Sequence, residues 1–347
     1  MSEFRVDQIK SQDGKKGPNI AGITTFTSGV VLPSGDTFHR GGRDRAVFMG
    51  GYKTTGGNAA VADIHYVQIS TLGNSGDFGD LFEAARWAGG CYGSSIRGFY
   101  GGGTVPASTN HIDFVTISAT GNALDFGDLS YPTGYVEAAG NNVRGLWGGG
   151  RSAPSKNMDT IQYITPTSKG INSLEFGSLT EARIGSAAVA NPTRALWTGG
   201  YIAPASNVPK YTIDYVNIST LGSAKDFGDL YYYTNYSDTA SSGTRGIHAG
   251  GGVPSRTDII QYIAFASLGN GQDFGSLTDS RDHLAGTDNS VRGIFAGGQS
   301  PSGGGTYVNK IDYITISTLG NAVEFGELSR PDLAYAGGCS DSHGGLA

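Results

Sequence analysis

Six copies of one pattern constrain this chain more than any other feature. Each copy opens on an arginine: Arg45, Arg97, Arg144, Arg194, Arg245 and Arg292. The mean spacing is about 49 residues. Two further anchors keep the same beat. An I-x-[YF] step falls at Ile64, Ile112, Ile161, Ile213, Ile260 and Ile311, and an acidic residue, phenylalanine and glycine follow at Phe78, Phe126, Phe176, Phe227, Phe274 and Phe325. A unit this short cannot bury its own core, so the copies must cover one another.

Within each copy, Tyr, Phe, Ile, Val and Thr gather in short runs, and 57 glycines punctuate a chain of 347 residues. That composition favours strands and tight turns. The reading is an all-β, six-bladed β-propeller over residues 36–347, preceded by an extended arm at residues 1–35. Four strands per repeat are expected, as at Arg281–Thr287, Arg292–Gly298, Ile311–Ser317 and Glu324–Leu328. The first copy lacks an opening strand and the C-terminus carries a spare one. Residues near Leu333–Cys339 are therefore expected to complete the blade that starts at Arg45, which removes open sheet edges.

The second strand ends in paired glycines (Gly50-Gly51, Gly101-Gly102, Gly148-Gly149, Gly199-Gly200, Gly250-Gly251, Gly297-Gly298), suited to positive φ or close backbone approach. No Lys-Ser/Thr follows them, which excludes a phosphate loop. The formal charge of −6, without a basic stripe, argues against nucleic acid. The N-terminus has no apolar signal core and no run is long enough to cross a bilayer, so a product of a reducing cytosol is expected. Cys91 and Cys339 each end an A-G-G-C segment and are read as small buried residues at matching repeat positions, ahead of a disulfide.

The acids Asp77, Asp125, Glu175, Asp226, Asp273 and Glu324 recur in phase with the leading arginines. A group present in every blade is best explained by what every blade needs, so each acid is read as a hydrogen-bonding partner of an arginine or of turn amides, a structural repeat pair and not part of a metal ring. The six histidines are scattered, and no zinc, nucleophile-elbow or kinase constellation is present. No catalytic residue, metal or cofactor is expected. The loops after the glycine pairs vary between copies and should share one side of the disc, where recognition usually sits. The candidate binding residues are Tyr52 and Tyr201 in those loops and the cluster Tyr231, Tyr232, Tyr233 and Tyr236, dense enough to stack on sugar rings or fill a protein interface.

The order of elements, an arginine followed by an apolar strand ending in Gly-Gly and a tyrosine-bearing strand, resembles the kelch repeat. Arg86, Arg183, Arg281 and Arg330 stand where its first-strand arginine would be, and a phenylalanine replaces its tryptophan. Ser75–Phe82 is similar to the Asp-box turn of sialidase-type propellers. The phrases Val115–Leu129 and Ile314–Gly326, with the opening Glu3–Gly14, resemble virion proteins of tailed marine phages of the cyanophage type. That resemblance implies a structural protein of the virion, at the tail, neck or capsid. Residues 1–35 would anchor it to other virion proteins, with Phe4, Val6, Ile9, Ile23 and Phe26 as apolar contacts. The propeller would meet host-surface glycan or neighbouring subunits, without membrane insertion. Fibre attachment is compatible with a homo-oligomer. A cellular kelch-like scaffold and a glycan-degrading propeller are the alternatives.

Overall fold

Counted from its leading arginine, each repeat supplies strands two to four of one sheet and the innermost strand of the next. The computed structural model describes residues 44–342, apart from 83–85, 105, 153–155, 204–207, 253–254 and 302–306. These form six four-stranded antiparallel sheets in a ring, a six-bladed β-propeller, and no helix occurs among them. The proposed anchor residues Phe4, Val6, Ile9, Ile23 and Phe26 lie outside the described residues.

Blade 4 serves as the example, with strands Ala187–Ala190, Arg194–Thr198, Thr212–Asn217 and Lys225–Asp229 from the axis outward. The corresponding inner strands of blades 2, 3, 5 and 6 are Gly90–Gly93, Glu137–Gly140, Asp238–Ser241 and Ala285–Asp288. In blade 1 the inner strand is Gly337–Ser340, which pairs with Arg45–Met49 through Ala46↔Ser340 to Met49↔Gly337. The C-terminal strand thus closes the ring. Inner strands begin later than expected, at Ala285 in blade 6 and not at Arg281, because the preceding residues run across the face toward the axis.

Six apolar clusters fill the six interfaces between blades. Between blades 4 and 5, for instance, Leu196, Ile213, Phe227 and Leu230 meet Ile263 and Phe265. The phenylalanine of each acidic-Phe-Gly anchor is buried while its acid is exposed, as strand alternation requires. The anchor also guards the outer edge. Phe78, Phe126, Phe176, Phe227, Phe274 and Phe325 each accept a backbone N–H from the turn of the following blade, so no outer strand is left with a bare row of acceptors.

The paired glycines bind blade to blade. Gly51, Gly103, Gly150, Gly200, Gly251 and Gly298 donate their N–H to Arg86, Thr133, Arg183, Thr234, Arg281 and Leu333 of the next segment. Both glycines of each pair take positive φ. In blades 2 and 3 the pairs are Gly102-Gly103 and Gly149-Gly150, one residue later than the sequence reading.

The expected pairing of the leading arginines with the repeated acids is not what the fold uses. Asp77, Asp125, Glu175, Asp226, Asp273 and Glu324 are exposed on the outer strands. Each leading arginine instead lies over the ring of its own third strand, as Arg194 lies 5.3 Å from the Tyr215 centroid. Its Nη1 donates to a carbonyl of the next blade, as Arg144 does to Ile218 at 2.7 Å. A guanidinium held between a π face and a carbonyl bridges two blades without a carboxylate.

The buried ion pairs lie elsewhere. Arg86, Arg183 and Arg281 meet Asp113, Asp214 and Asp312 at 2.5, 3.1 and 2.6 Å, and all six side chains are at most 2% exposed. Blades 3 and 5 place Thr133 with Gln162 and Thr234 with Gln261 at the same two positions, and blade 1 places Leu333 with His65. Charge and neutrality therefore alternate around most of the ring. Arg330 does not belong to this series: Leu333 holds that position, and Arg330 pairs with Asp63 nearer the surface.

Candidate functional site

The loops after the glycine pairs all emerge on one side of the disc. Three form short hairpins: Tyr52–Lys53 with Ala59–Ala60, Arg151–Ser152 with Lys156–Asn157, and Tyr201–Ile202 with Val208–Pro209. Every loop is also tied toward the axis, through Tyr52↔Ala334, Thr104↔Trp87, Arg151↔Gly134, Tyr201↔Ile184, Gly252↔Asn235 and Gln299↔Asp282. Asp332 Oδ2 fixes the first hairpin by accepting from the Thr54 amide at 2.7 Å and its hydroxyl at 2.8 Å. Variable loops thus stand on a rigid base.

Two residues before each inner strand starts, the backbone enters the left-handed region. Ala88, Tyr135, Gly185, Tyr236, His283 and Tyr335 have φ of 54, 55, 60, 54, 55 and 59°. Five links of a ring around the axis join them: Tyr135, Tyr236, His283, Tyr335 and Ala88 donate their N–H to Ala88, Gly185, Tyr236, His283 and Tyr335. Aromatic residues rarely accept this conformation, which costs about 1 kcal/mol each outside glycine. Here the ring of hydrogen bonds over-determines it, the condition under which such strain persists at functional sites.

The result is a mouth of aromatic rings at the axis. Trp87 meets Tyr52, Tyr135 and Tyr335 edge to face at centroid distances of 5.4, 5.3 and 4.8 Å. Tyr201 and Tyr307 close on Tyr236 and Tyr335 from the loops at 5.5 and 6.2 Å. His283 lies between Tyr236 and Tyr335, at 4.1 and 3.8 Å. Seven of these eight rings are half-buried and offer a face or an edge to solvent, while the His283 side chain is only 8% exposed.

Electrostatically the mouth is neutral. Burial is the main reason that the phenols of Tyr236 and Tyr335 ionise only well above their ordinary range, and the Tyr201 hydroxyl adds to the shift at Tyr236. Burial likewise lowers His283 below its usual pKa against the opposing pull of Asp282, 3.1 Å from Nδ1. Its Nε2 has no hydrogen-bond partner in the fold. The site is therefore a platform of neutral rings with phenol donors around a buried imidazole.

The structure divides the six tyrosines proposed from sequence. Tyr52, Tyr201 and Tyr236 come together at the mouth. Tyr231 is 62% exposed and stays at the rim of the same face, where Tyr232 and Tyr233 stack at 5.3 Å and Tyr233 meets Tyr211 at 5.1 Å. Trp87, Tyr135, His283, Tyr307 and Tyr335 were not anticipated. Aligning the segments before the inner strands shows the signal: Ala, Tyr, Gly, Tyr, His and Tyr recur at one position.

Two hollows accompany the mouth. The inner strands enclose an axial cavity of about 80 Å³ whose lining includes Cys91, Glu137, Asp238, Asp288 and Cys339. Burial holds Glu137 well above the carboxylate range, with Asp238 adding to the shift, and pushes Asp238 up to about 7. The other is an open hollow at the blade 6 to blade 1 edge, lined by Asp63, His65, Asp77 and Arg330. Among the described residues no group of three His, Cys, Asp or Glu is placed to hold a metal ion, and no helix is long and apolar enough to cross a membrane. Compared with models of protein families and with curated proteins, the sequence matches none.

Proposed function

We propose that this propeller is a binding module whose loop face recognises glycan through its aromatic mouth, in a structural protein of a phage particle. The observation that carries the reading is the mouth itself. Seven half-buried rings and the buried imidazole of His283, drawn from all parts of the ring, converge on one axis, on backbone held by hydrogen bonds between blades. Aromatic faces stack on the C–H faces of sugar rings, and phenols supply hydrogen bonds to their hydroxyls. A rigid base keeps the ordering cost of binding low. The role is proposed as recognition without catalysis, with residues 1–35 attaching the module to other virion proteins.

An immobilised panel of surface polysaccharides tests this with wild type, Trp87→Ala and Tyr231→Ala. Wild type should retain a subset of the panel, Trp87→Ala should bind it at least tenfold more weakly, and the rim variant Tyr231→Ala should bind unchanged. In parallel, a chain starting at Asp36 should keep glycan binding and lose capture by particles stripped of this protein. Absence of glycan binding by the wild type, or indifference to Trp87→Ala, refutes the glycan reading. Equal capture of both chains by the particles refutes the arm as anchor.

A further inference from the structure

The two cysteines were aligned by their shared A-G-G-C context, but the fold sets them one register apart. Gly90 and Gly337 are both the first residue of an inner strand, so Cys91 is the second residue of its strand and Cys339 the third. Side chains alternate along a strand, and this one-residue offset reverses direction. First-position groups point to the following blade: a Cβ on Gly337 would stand 2.6 Å from the Cys91 Cβ. Second-position groups point back: a Cβ on Gly338 would meet Gly286 of the preceding blade. Cys339 of blade 1 therefore faces forward and Cys91 of blade 2 faces back, and the two share one apolar cluster. Both are free thiols in the described structure, and both line the axial cavity.

Their place in the topology gives the pair a consequence. Cys339 sits on the strand that closes the ring, which joins blade 1 by pairing with Arg45–Met49. Cys91 belongs to the neighbouring blade and comes from near the start of the ring.

We propose that Cys91 and Cys339 are an oxidation site that forms a covalent latch across the ring closure. With hydrogen peroxide as oxidant, one thiolate attacks the O–O bond to give a sulfenic acid and hydroxide. The second thiol then attacks the sulfenic sulfur, forms the S–S bond and releases water. Two thiols and one peroxide become one disulfide and two waters, with the sulfurs oxidised and the peroxide oxygens reduced. The axial cavity, about 80 Å³ and lined by both residues, has room for a molecule of that size. Burial, reinforced by the contact with Cys339, holds the Cys91 thiol well above its usual pKa, so the reaction should be slow and should not compete with reduction in a reducing compartment.

The test uses the full-length wild-type chain, reduced and then treated with peroxide. Intact mass should fall by two hydrogens, and peptide mapping without reductant should find Cys91 linked to Cys339. The thermal midpoint should rise by about 5 °C or more, as expected for closing a loop of about 250 residues, and return on adding dithiothreitol. Cys91→Ser and Cys339→Ser should show neither the mass loss nor the shift. Two free thiols after peroxide, sulfinic or sulfonic products, or a disulfide between chains would each overturn the proposal. A correct cross-link that leaves the midpoint unchanged would overturn its role as a latch.

Discussion

Arg183 and Asp214 offer a direct test of how the blades are held. Both side chains are fully buried, 3.1 Å apart, and Arg183 also donates to the Trp197 carbonyl at 3.0 Å. Asp214 in turn accepts from the Thr180 amide and hydroxyl at 3.1 and 2.6 Å. Replacing Arg183 by Thr leaves a buried carboxylate without its counter-charge, which costs about 3–5 kcal/mol. With an unfolding entropy of about 2.1 cal/mol/K per residue over roughly 300 residues, the melting midpoint should fall by about 5–8 °C. Adding Asp214→Gln reproduces the neutral pair that the protein uses in blades 3 and 5, where Gln261 both accepts from and donates to the Tyr232 backbone. The double variant should therefore recover to within about 1 kcal/mol of wild type, the range of tolerated neutral replacements of buried ion pairs. Differential scanning calorimetry of the four proteins completes a double-mutant cycle. A single variant within 1 °C of wild type, or a double variant no better than the single, would refute the claim that the alternating pairs are interchangeable solutions to one packing problem.

Other perturbations separate backbone fit from charge. Gly150→Ala should cost about 2–4 kcal/mol, because φ is +90° and the new methyl would sit 2.6 Å from Thr133 Cγ2. Gly56→Ala, at φ +77° with open space around it, should cost only about 1 kcal/mol, and urea midpoints would show the contrast. Burial lowers His248 to about 3, so the folded state resists the proton that the unfolded chain takes up below pH 6.5. Wild type should lose about 1.4 kcal/mol per pH unit against His248→Phe as pH falls from 6.5 to 4, and a pH-independent difference would refute this. Asp288, pushed up to about 7 by burial, has the opposite sign: its stabilising protonated form is lost as pH rises. Asp288→Asn should therefore gain on wild type between pH 4 and 7 in the same melts.

The sequence by itself determined the architecture. Six copies at a fixed period, strand-length apolar runs and a surplus strand at the C-terminus leave a closed six-bladed ring as the arrangement that buries every repeat, and Gly337–Ser340 completes blade 1 as that logic requires. Local pattern also marked the loop face, since loops that vary between otherwise uniform copies lie on the side left free by packing. It did not reveal which residues meet. The leading arginines and the exposed acids keep the same beat, yet the arginines bridge blades through aromatic rings and carbonyls, while the ion pairs formed between Arg183 and Asp214 and their counterparts. Periodicity reports that two residues recur, not that their side chains point at one another. The aromatic mouth depended on tertiary structure for the same reason: Trp87, Tyr135, Tyr236, His283 and Tyr335 are far apart in the chain and become neighbours only when the ring closes around its axis. Cys91 and Cys339 looked equivalent in their local sequence, but a one-residue difference in strand register turned them toward each other. Register is set by hydrogen bonding between strands and packing between blades, and both exist only in the folded ring.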